Sequence, residues 1–243
     1  MKKDSLNRKL LLFDIDGTLI SSGGRGRKAM VAATQDEFQQ EIEFEFLPFA
    51  GMTDRFIVAQ FIEKNGLFTS DIESTIDRIL KRYVEHLKLL MVSENTVQVL
   101  PGVLKLLKTV SQMEEFSVGL VTGNIEAGAR LKLAPAKLND YFRFGAFGDD
   151  NANRNLLPPI AVQRAEALYQ ATFEPKNVWI IGDTPKDIEC AKVNGYRSLA
   201  VATGGWAVEK LNAHHPDFVL ENLSEGSQVV SIFSTLDILP NKL

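Results

Sequence analysis

At 243 residues, with 45% hydrophobic and 24% charged side chains, the chain is long enough for one large domain or a core carrying a smaller insert, and its ordinary globular composition excludes wholesale disorder, collagen-like and coiled-coil architectures. Lys plus Arg number 27 against 31 Asp plus Glu, a net charge of −4, so nothing in bulk resembles a nucleic-acid footprint. Cys190 is the single cysteine, which excludes an internal disulfide or a cysteine-built zinc site and fits a reducing compartment.

The apolar run Leu10–Phe13 near the start is too short for a signal-peptide core, and nowhere do 18 apolar residues run together; a cytoplasmic protein with no membrane partner is expected. Leu10 to Asp14 instead fits a short buried strand, ending in Asp14-Ile-Asp-Gly-Thr18. Ser21-Ser-Gly-Gly24 follows as a hinge-like stretch. From Arg25 to about Val97 the pattern is helical and no strand is evident. One helix is expected from Thr53 or Asp54 to just before Gly66, a good stop. Another starts near Asp71, where Ile72, Ile76, Ile79, Leu80, Tyr83, Leu87 and Leu90 form an amphipathic stripe that reads as the core of the segment.

After Pro101-Gly102 the grammar alternates. Strands are expected at 116–122, 144–147, 178–182, 198–202 and, more weakly, 218–220, with helices near 103–112, 125–134, 158–171 and 185–194. This alternation predicts an α/β fold with a doubly wound parallel sheet. The predicted core comprises 1–20 and 98–243, and the all-helical insert 21–97.

In such a sheet, ligands sit outside the carboxyl ends of the strands. The first strand ends in Asp14 and Asp16, the second in Thr122-Gly123-Asn124, and the fourth in Gly182-Asp183-Thr184 with Asp187 a turn later. Each has an ordinary alternative: Asp-Gly is common turn chemistry, Asp is favoured before helices, and Thr is a good strand residue. Taken together, however, carboxylates converging on one crevice would repel each other without a cation. Hard oxygen donors suit Mg²⁺, which binds through one or two carboxylates plus a phosphate. The chemistry points to phosphoryl transfer. Residues two apart on an extended strand point the same way, so Asp16 reaches the same site as Asp14.

Asp14-Ile-Asp-Gly-Thr18 resembles the first motif of the haloacid dehalogenase-like superfamily, Thr122-Gly-Asn124 its second, and Gly182-Asp-Thr-Pro-Lys-Asp187 its fourth. The order of motifs and the helical insert after the first are similar to the subgroup with a helical cap, which includes phosphoglycolate-phosphatase-like enzymes. The resemblance implies that Asp14 is the nucleophile, forming an aspartyl-phosphate, and that Asp16 protonates the leaving group and then activates water. It implies Mg²⁺ held by Asp14, Asp183 and the backbone carbonyl of Asp16, with Asp187 at or just behind the metal. Thr122, with Gly123 and Asn124 beside it, would hold the phosphoryl group.

The third motif departs from the family pattern, which has a lysine just before the helix leading to the fourth strand. Arg154 falls there, counting back from Pro159, and keeps the positive charge; Lys137 and Arg164 are the alternatives. Arg25-Gly-Arg27 lacks the ending of a nucleotide P-loop and reads as a hinge, His214-His215 as an exposed loop, and Cys190 as a packing residue.

The expected function is Mg²⁺-dependent hydrolysis of a small phosphate monoester, with a small phosphorylated metabolite as partner and the cap closing over the site. Thr53 and Arg55, in the cap loop around Gly51-Met-Thr-Asp-Arg55, are the candidates for substrate selection. A phosphomutase would use the same Asp14 and Asp16. A non-catalytic phospho-ligand-binding module would not need Asp16, and a dehalogenase would need neither the acidic pair nor the carboxylate set.

Overall fold

A computed structural model describes residues 8–43, 49–93 and 97–234. Its centre is β1 (Lys9–Phe13), a lysine followed by four consecutive apolar residues, buried along its whole length. Strands buried on both faces read this way because helices cover both sides of a parallel sheet. β1 pairs in parallel with β4 (Phe116–Val121) and β6 (Val178–Gly182). The sheet continues to β5 (Gly145–Ala146) on one side, and to β7 (Arg197–Val201) and β8 (Phe218–Leu220) on the other. The order is therefore β5-β4-β1-β6-β7-β8, all parallel.

The period of two along β1 sorts its side chains between two cores. Leu11 and Phe13 pack with Leu106 and Leu107 of α4 (Val103–Val110), Leu133 of α5 (Glu126–Leu133) and Phe233 of α9 (Gly226–Ser234). Leu10 and Leu12 pack on the opposite face with Leu157, Ala161 and Ala165 of α6 (Leu157–Tyr169) and Ala191 of α7 (Pro185–Val193). The result is a three-layer α/β fold, as the alternation predicts. α8 (Val208–Asn212) and α9 lie where no helix is expected from the sequence.

Between β1 and β4 lie α1 (Arg25–Phe38), α2 (Asp54–Lys64) and α3 (Ile72–Ser93). They form a core of their own: Met30 and Ala33 from α1, Val58 and Phe61 from α2, and Ile76, Ile79, Tyr83 and Leu87 from α3. The last four belong to the stripe read from the sequence. Two connections tie this segment to the sheet, and they pair with each other: β2 (Ile20–Ser21) runs antiparallel to β3 (Gln98–Val99). The expected hinge at Ser21 thus begins inside a two-stranded ribbon. Two-residue strands leave no periodicity to detect. Among the described residues, no helix is long and apolar enough to cross a membrane.

Candidate active site

The carboxyl end of β1 is where the chain turns most tightly. Asp14 N–H donates to the Ile181 carbonyl at 2.9 Å, extending the parallel ladder, and Gly17 N–H then donates to the Ile20 carbonyl at 2.8 Å. Gly17 has φ +84°, and a Cβ there would lie 2.4 Å from Oδ2 of Asp183. Only glycine fits both the left-handed backbone and the approach of that carboxylate.

Asp14 is buried. One NH2 of Arg154 lies 3.1 Å from its Oδ1, and the same nitrogen pairs with Asp187. Arg154 opens the short 3-10 turn Arg154–Leu156 that leads into α6. It is itself buried, and its Nε has no protein partner. Arg164 instead pairs with Asp150 at 2.6 Å, and Lys137 is exposed. Of the three cations, only Arg154 is brought to Asp14.

Oxygens of Asp14, Asp183 and Asp187 all lie within 4.8 Å of one another. Burial and the neighbouring acids raise the Asp14 carboxyl to about 6 in spite of Arg154. Burial, then Asp187 and Asp14, push Asp183 well above the usual carboxylate range. Negative charge here exceeds what one guanidinium offsets, and the donors are all hard oxygens, so the set fits a small divalent cation. The members are not equivalent. Asp187 already accepts from Thr184 through both its N–H (3.0 Å) and its hydroxyl (2.7 Å) while pairing with Arg154. It closes the capping box of α7,. Asp183 accepts from the Thr18 hydroxyl at 3.1 Å. Of the three, Asp14 and Asp183 could turn oxygens to such a cation, while Asp187 is engaged by Thr184 and Arg154.

Asp16 belongs to a second cluster. Ser22 Oγ donates to its Oδ1 at 3.0 Å, and Asn124 Nδ2 donates to its Oδ2 at 3.0 Å. Lys132 Nζ lies 2.5 Å from the same Oδ2 and donates to Asn124 Oδ1 at 2.6 Å. Asn124 also donates to Thr122 Oγ1 at 2.8 Å. Burial works against ionisation of Asp16, but Lys132 and the hydrogen bonds outweigh it and hold the carboxyl below its ordinary value. Both clusters open on one cavity of about 460 Å³, whose polar wall includes Asp14, Asp16, Thr122, Asn124, Lys132 and Arg154. Met30, Phe49, Met52 and Ile57 of the helical segment form much of the opposite wall.

The loop before α2 docks that wall onto the core. Asp54 N–H donates to the Gly123 carbonyl at 2.7 Å, and Asp54 Oδ2 accepts from Ile125 N–H at 2.9 Å. Thr53 donates to the Ala152 carbonyl at 2.7 Å and caps α2 through Phe56 N–H. Arg55 is held by Glu73 at 2.5 Å and Asp77 at 2.6 Å on α3. Thr53 and Arg55 are not part of the cavity wall, whereas Met52 and Asp54 are. The loop read from the sequence does face the core, with Met52 and Asp54 of it on the cavity wall.

Burial raises Asp54 to about 6, and Lys132 only partly offsets this. An acid whose folded pKa exceeds its unfolded value loses stability as pH rises, here between about 4 and about 6. Asp54→Asn keeps an oxygen for the Ile125 N–H. It should therefore match the wild-type melting temperature at pH 4 and exceed it at pH 7.5, as thermal melts at the two pH values would show.

Lys132 and Asp54 escape the sequence reading. Lys132 shares a helix face with Ile125, Gly128 and Ala129, all buried. A lysine on a buried face is the available signal, since lysine is almost never buried unless paired.

Comparison with known proteins agrees with this arrangement. The profile of the haloacid dehalogenase-like hydrolase family matches residues 11–201. A phosphoglycolate phosphatase of Aquifex aeolicus is 27% identical over 223 residues, covering 89% of this chain and 94% of that protein. The pyrophosphatase PpaX of Anoxybacillus flavithermus is 25% identical over 239 residues, covering 94% and 100% respectively. The solved structure of a β-phosphoglucomutase from Clostridium difficile shares the fold, with a TM-score of 0.71 at 17% identity, covering 93% of this chain and 97% of that one. With its motifs set at the carboxyl edge of a parallel sheet under a helical segment, the chain belongs to the haloacid dehalogenase-like hydrolase family.

Proposed function

We propose that the protein is a Mg²⁺-dependent phosphatase that hydrolyses a small phosphate monoester through a phosphorylated Asp14. The observation that carries this reading is the placing of Asp14 at the wall of the cavity, between the Arg154 guanidinium and the Asp183 carboxylate. A phosphoryl group entering there meets a nucleophile, a fixed cation and, from Thr122, a hydroxyl.

An Asp14 oxygen forms a bond to phosphorus while the bond from phosphorus to the ester oxygen breaks. Asp16, two residues on, donates the proton that the leaving alkoxide needs. Arg154, on the cavity wall beside Asp14, neutralises charge on the phosphoryl oxygens. In the second step Asp16 takes a proton from water as the water attacks phosphorus, releasing phosphate and restoring Asp14. Lys132 favours the ionised Asp16 that this second step uses, and an arriving phosphate dianion favours the protonated form that the first step uses. A bound Mg²⁺ would supply positive charge between Asp14 and Asp183, stabilising the transferring phosphoryl group.

Relatives named phosphoglycolate phosphatase and pyrophosphatase support taking a small, strongly anionic phosphate as the first candidate, with sugar phosphates next. A panel of phosphorylated metabolites assayed with Mg²⁺ for released phosphate tests the reading. Release without a bisphosphate activator supports hydrolysis; turnover only with an activator indicates a phosphomutase, and binding without turnover a non-catalytic module.

Metal dependence gives a separate test. EDTA followed by dialysis should abolish activity and Mg²⁺ restore it, while Ca²⁺ should inhibit because its longer, more numerous bonds engage both Asp14 oxygens. Mg²⁺ should also raise the melting temperature. Full activity in EDTA, with no thermal shift on adding Mg²⁺, contradicts the metal assignment.

A further inference from the structure

Lys132 is a buried lysine that neither touches Asp14 nor follows from any of the motifs. It stands on α5, near the carboxyl edge of the core, and its ammonium crosses to the helical segment. There it occupies the space beside Gly26 in the first turn of α1: a Cβ on Gly26 would lie 2.9 Å from Nζ and 3.2 Å from Cε. Two of its contacts are fixed by Asp16 Oδ2 at 2.5 Å and Asn124 Oδ1 at 2.6 Å. Asn124 in turn donates to Asp16 Oδ2 at 3.0 Å, so the three side chains form a closed triangle. The Asp16 side chain keeps 37% exposure, against 6% for Lys132. The lysine thus lies behind the carboxylate and leaves its cavity side open.

We propose that Lys132 is a positioning residue for Asp16, its ammonium holding the carboxylate at the leaving-group side of the cavity in the space that Gly26 of the helical segment leaves open. The proposal rests on the reading of Asp16 as the acid of the first step. Its chemistry is geometric. A carboxylate on a short side chain rotates freely unless its oxygens are held, and a misplacement of about 1 Å costs roughly 100-fold in an oriented reaction. Ser22 and Asn124 hold Asp16 by hydrogen bonds, and Lys132 adds an ion-paired one, the strongest of the three contacts,. Gly26, in α1, has no side chain where the ammonium sits, so the helical segment leaves the triangle undisturbed.

The test exploits the leaving group. A p-nitrophenolate departs without a proton, whereas an alkoxide requires one, and kcat/KM reports events only up to the first irreversible step. kcat/KM is measured with Mg²⁺ on p-nitrophenyl phosphate and on the best alkyl monoester of the metabolite panel, for the wild type, Lys132→Met, Lys132→Arg, Gly26→Ala and Asp16→Asn. Lys132→Met should fall on the alkyl ester about 10- to 100-fold more than on the aryl ester, within the range general acid catalysis supplies. Lys132→Arg should recover part of that difference. Gly26→Ala, which displaces the ammonium without touching Asp16, should show the same bias more weakly at an unchanged melting temperature. Equal loss on both substrates in Lys132→Met, or no bias in Gly26→Ala, overturns the proposal; if Lys132→Met does not fold, Gly26→Ala decides alone. Asp16→Asn separates the two levels, since absence of bias there removes Asp16 as the acid whatever Lys132 does.

Discussion

Asp14→Asn should lower phosphate release by roughly 10⁴- to 10⁶-fold, the loss typical of removing one member of an interlocked catalytic set. The amide keeps the shape of the carboxylate but surrenders its charge and most of its nucleophilicity. The same substitution should leave stability unchanged or improved. Burial already pushes the Asp14 carboxyl up to about 6, so at neutral pH the folded protein pays for its ionisation. Lost turnover with a maintained or higher melting temperature is thus the paired result expected, from initial rates and a thermal melt at pH 7.5. Retained turnover in protein free of wild-type contamination would remove Asp14 from the mechanism.

Arg154→Ala should be damaging in both respects. Arg154 contacts both Asp14 and Asp187, and burial raises the cost of leaving either carboxylate without it. One charge-assisted contact to the transition state is worth about 2.7–4 kcal/mol, or roughly 100- to 1,000-fold in kcat. Breaking a buried pair by removing one partner costs about 3–5 kcal/mol of stability. Arg154→Lys should recover part of each, since it restores the charge but not the planar guanidinium and its further N–H donors. Mg²⁺ should narrow the stability difference, because a cation between Asp14 and Asp183 offsets some of the same negative charge. Wild-type kcat in Arg154→Ala, beside a crippled Arg164→Ala or Lys137→Ala, would reassign the cation. That outcome would have to overcome the ion pair that already occupies Arg164 with Asp150.

What the sequence discloses and what it withholds divide along physical lines. β1, β4 and β6 are legible because strands covered on both faces must be continuously apolar. Their parallel direction follows from the helices between them, which make crossovers rather than hairpins. The stripe from Ile72 to Leu90 is legible because three helices without a sheet bury only one face each. β2 and β3 are not, since two residues carry no period and their pairing spans the entire helical segment. The convergence of Asp14, Asp183 and Asp187 can be anticipated from the rule that ligands bind at strand carboxyl ends. Spacing from Pro159 marks Arg154, but whether its side chain reaches Asp14 depends on the path of the loop after β5.

Contacts between segments distant in sequence stay hidden for the same reason. Lys132 meets Asp16 across 116 positions, and nothing local to either residue announces the other. Arg55 shows the converse. Its position in the loop facing the core suggests a role toward substrate, yet α3 offers it Glu73 and Asp77 on the outside, and the guanidinium takes both. A helix start whose side chains point alternately inward and outward cannot be resolved to one residue from sequence, and it is Asp54, one position earlier, that turns to the cavity.

The central claim is that phosphate passes through Asp14 in two displacements, and the stereochemical course at phosphorus tests it most directly. Each in-line displacement inverts the configuration. A monoester made chiral at phosphorus with sulfur and oxygen isotopes, hydrolysed in isotopically labelled water, should therefore yield thiophosphate with net retention. Net inversion would mean that water attacks the substrate in a single step, and that Asp14 carries no phosphoryl group.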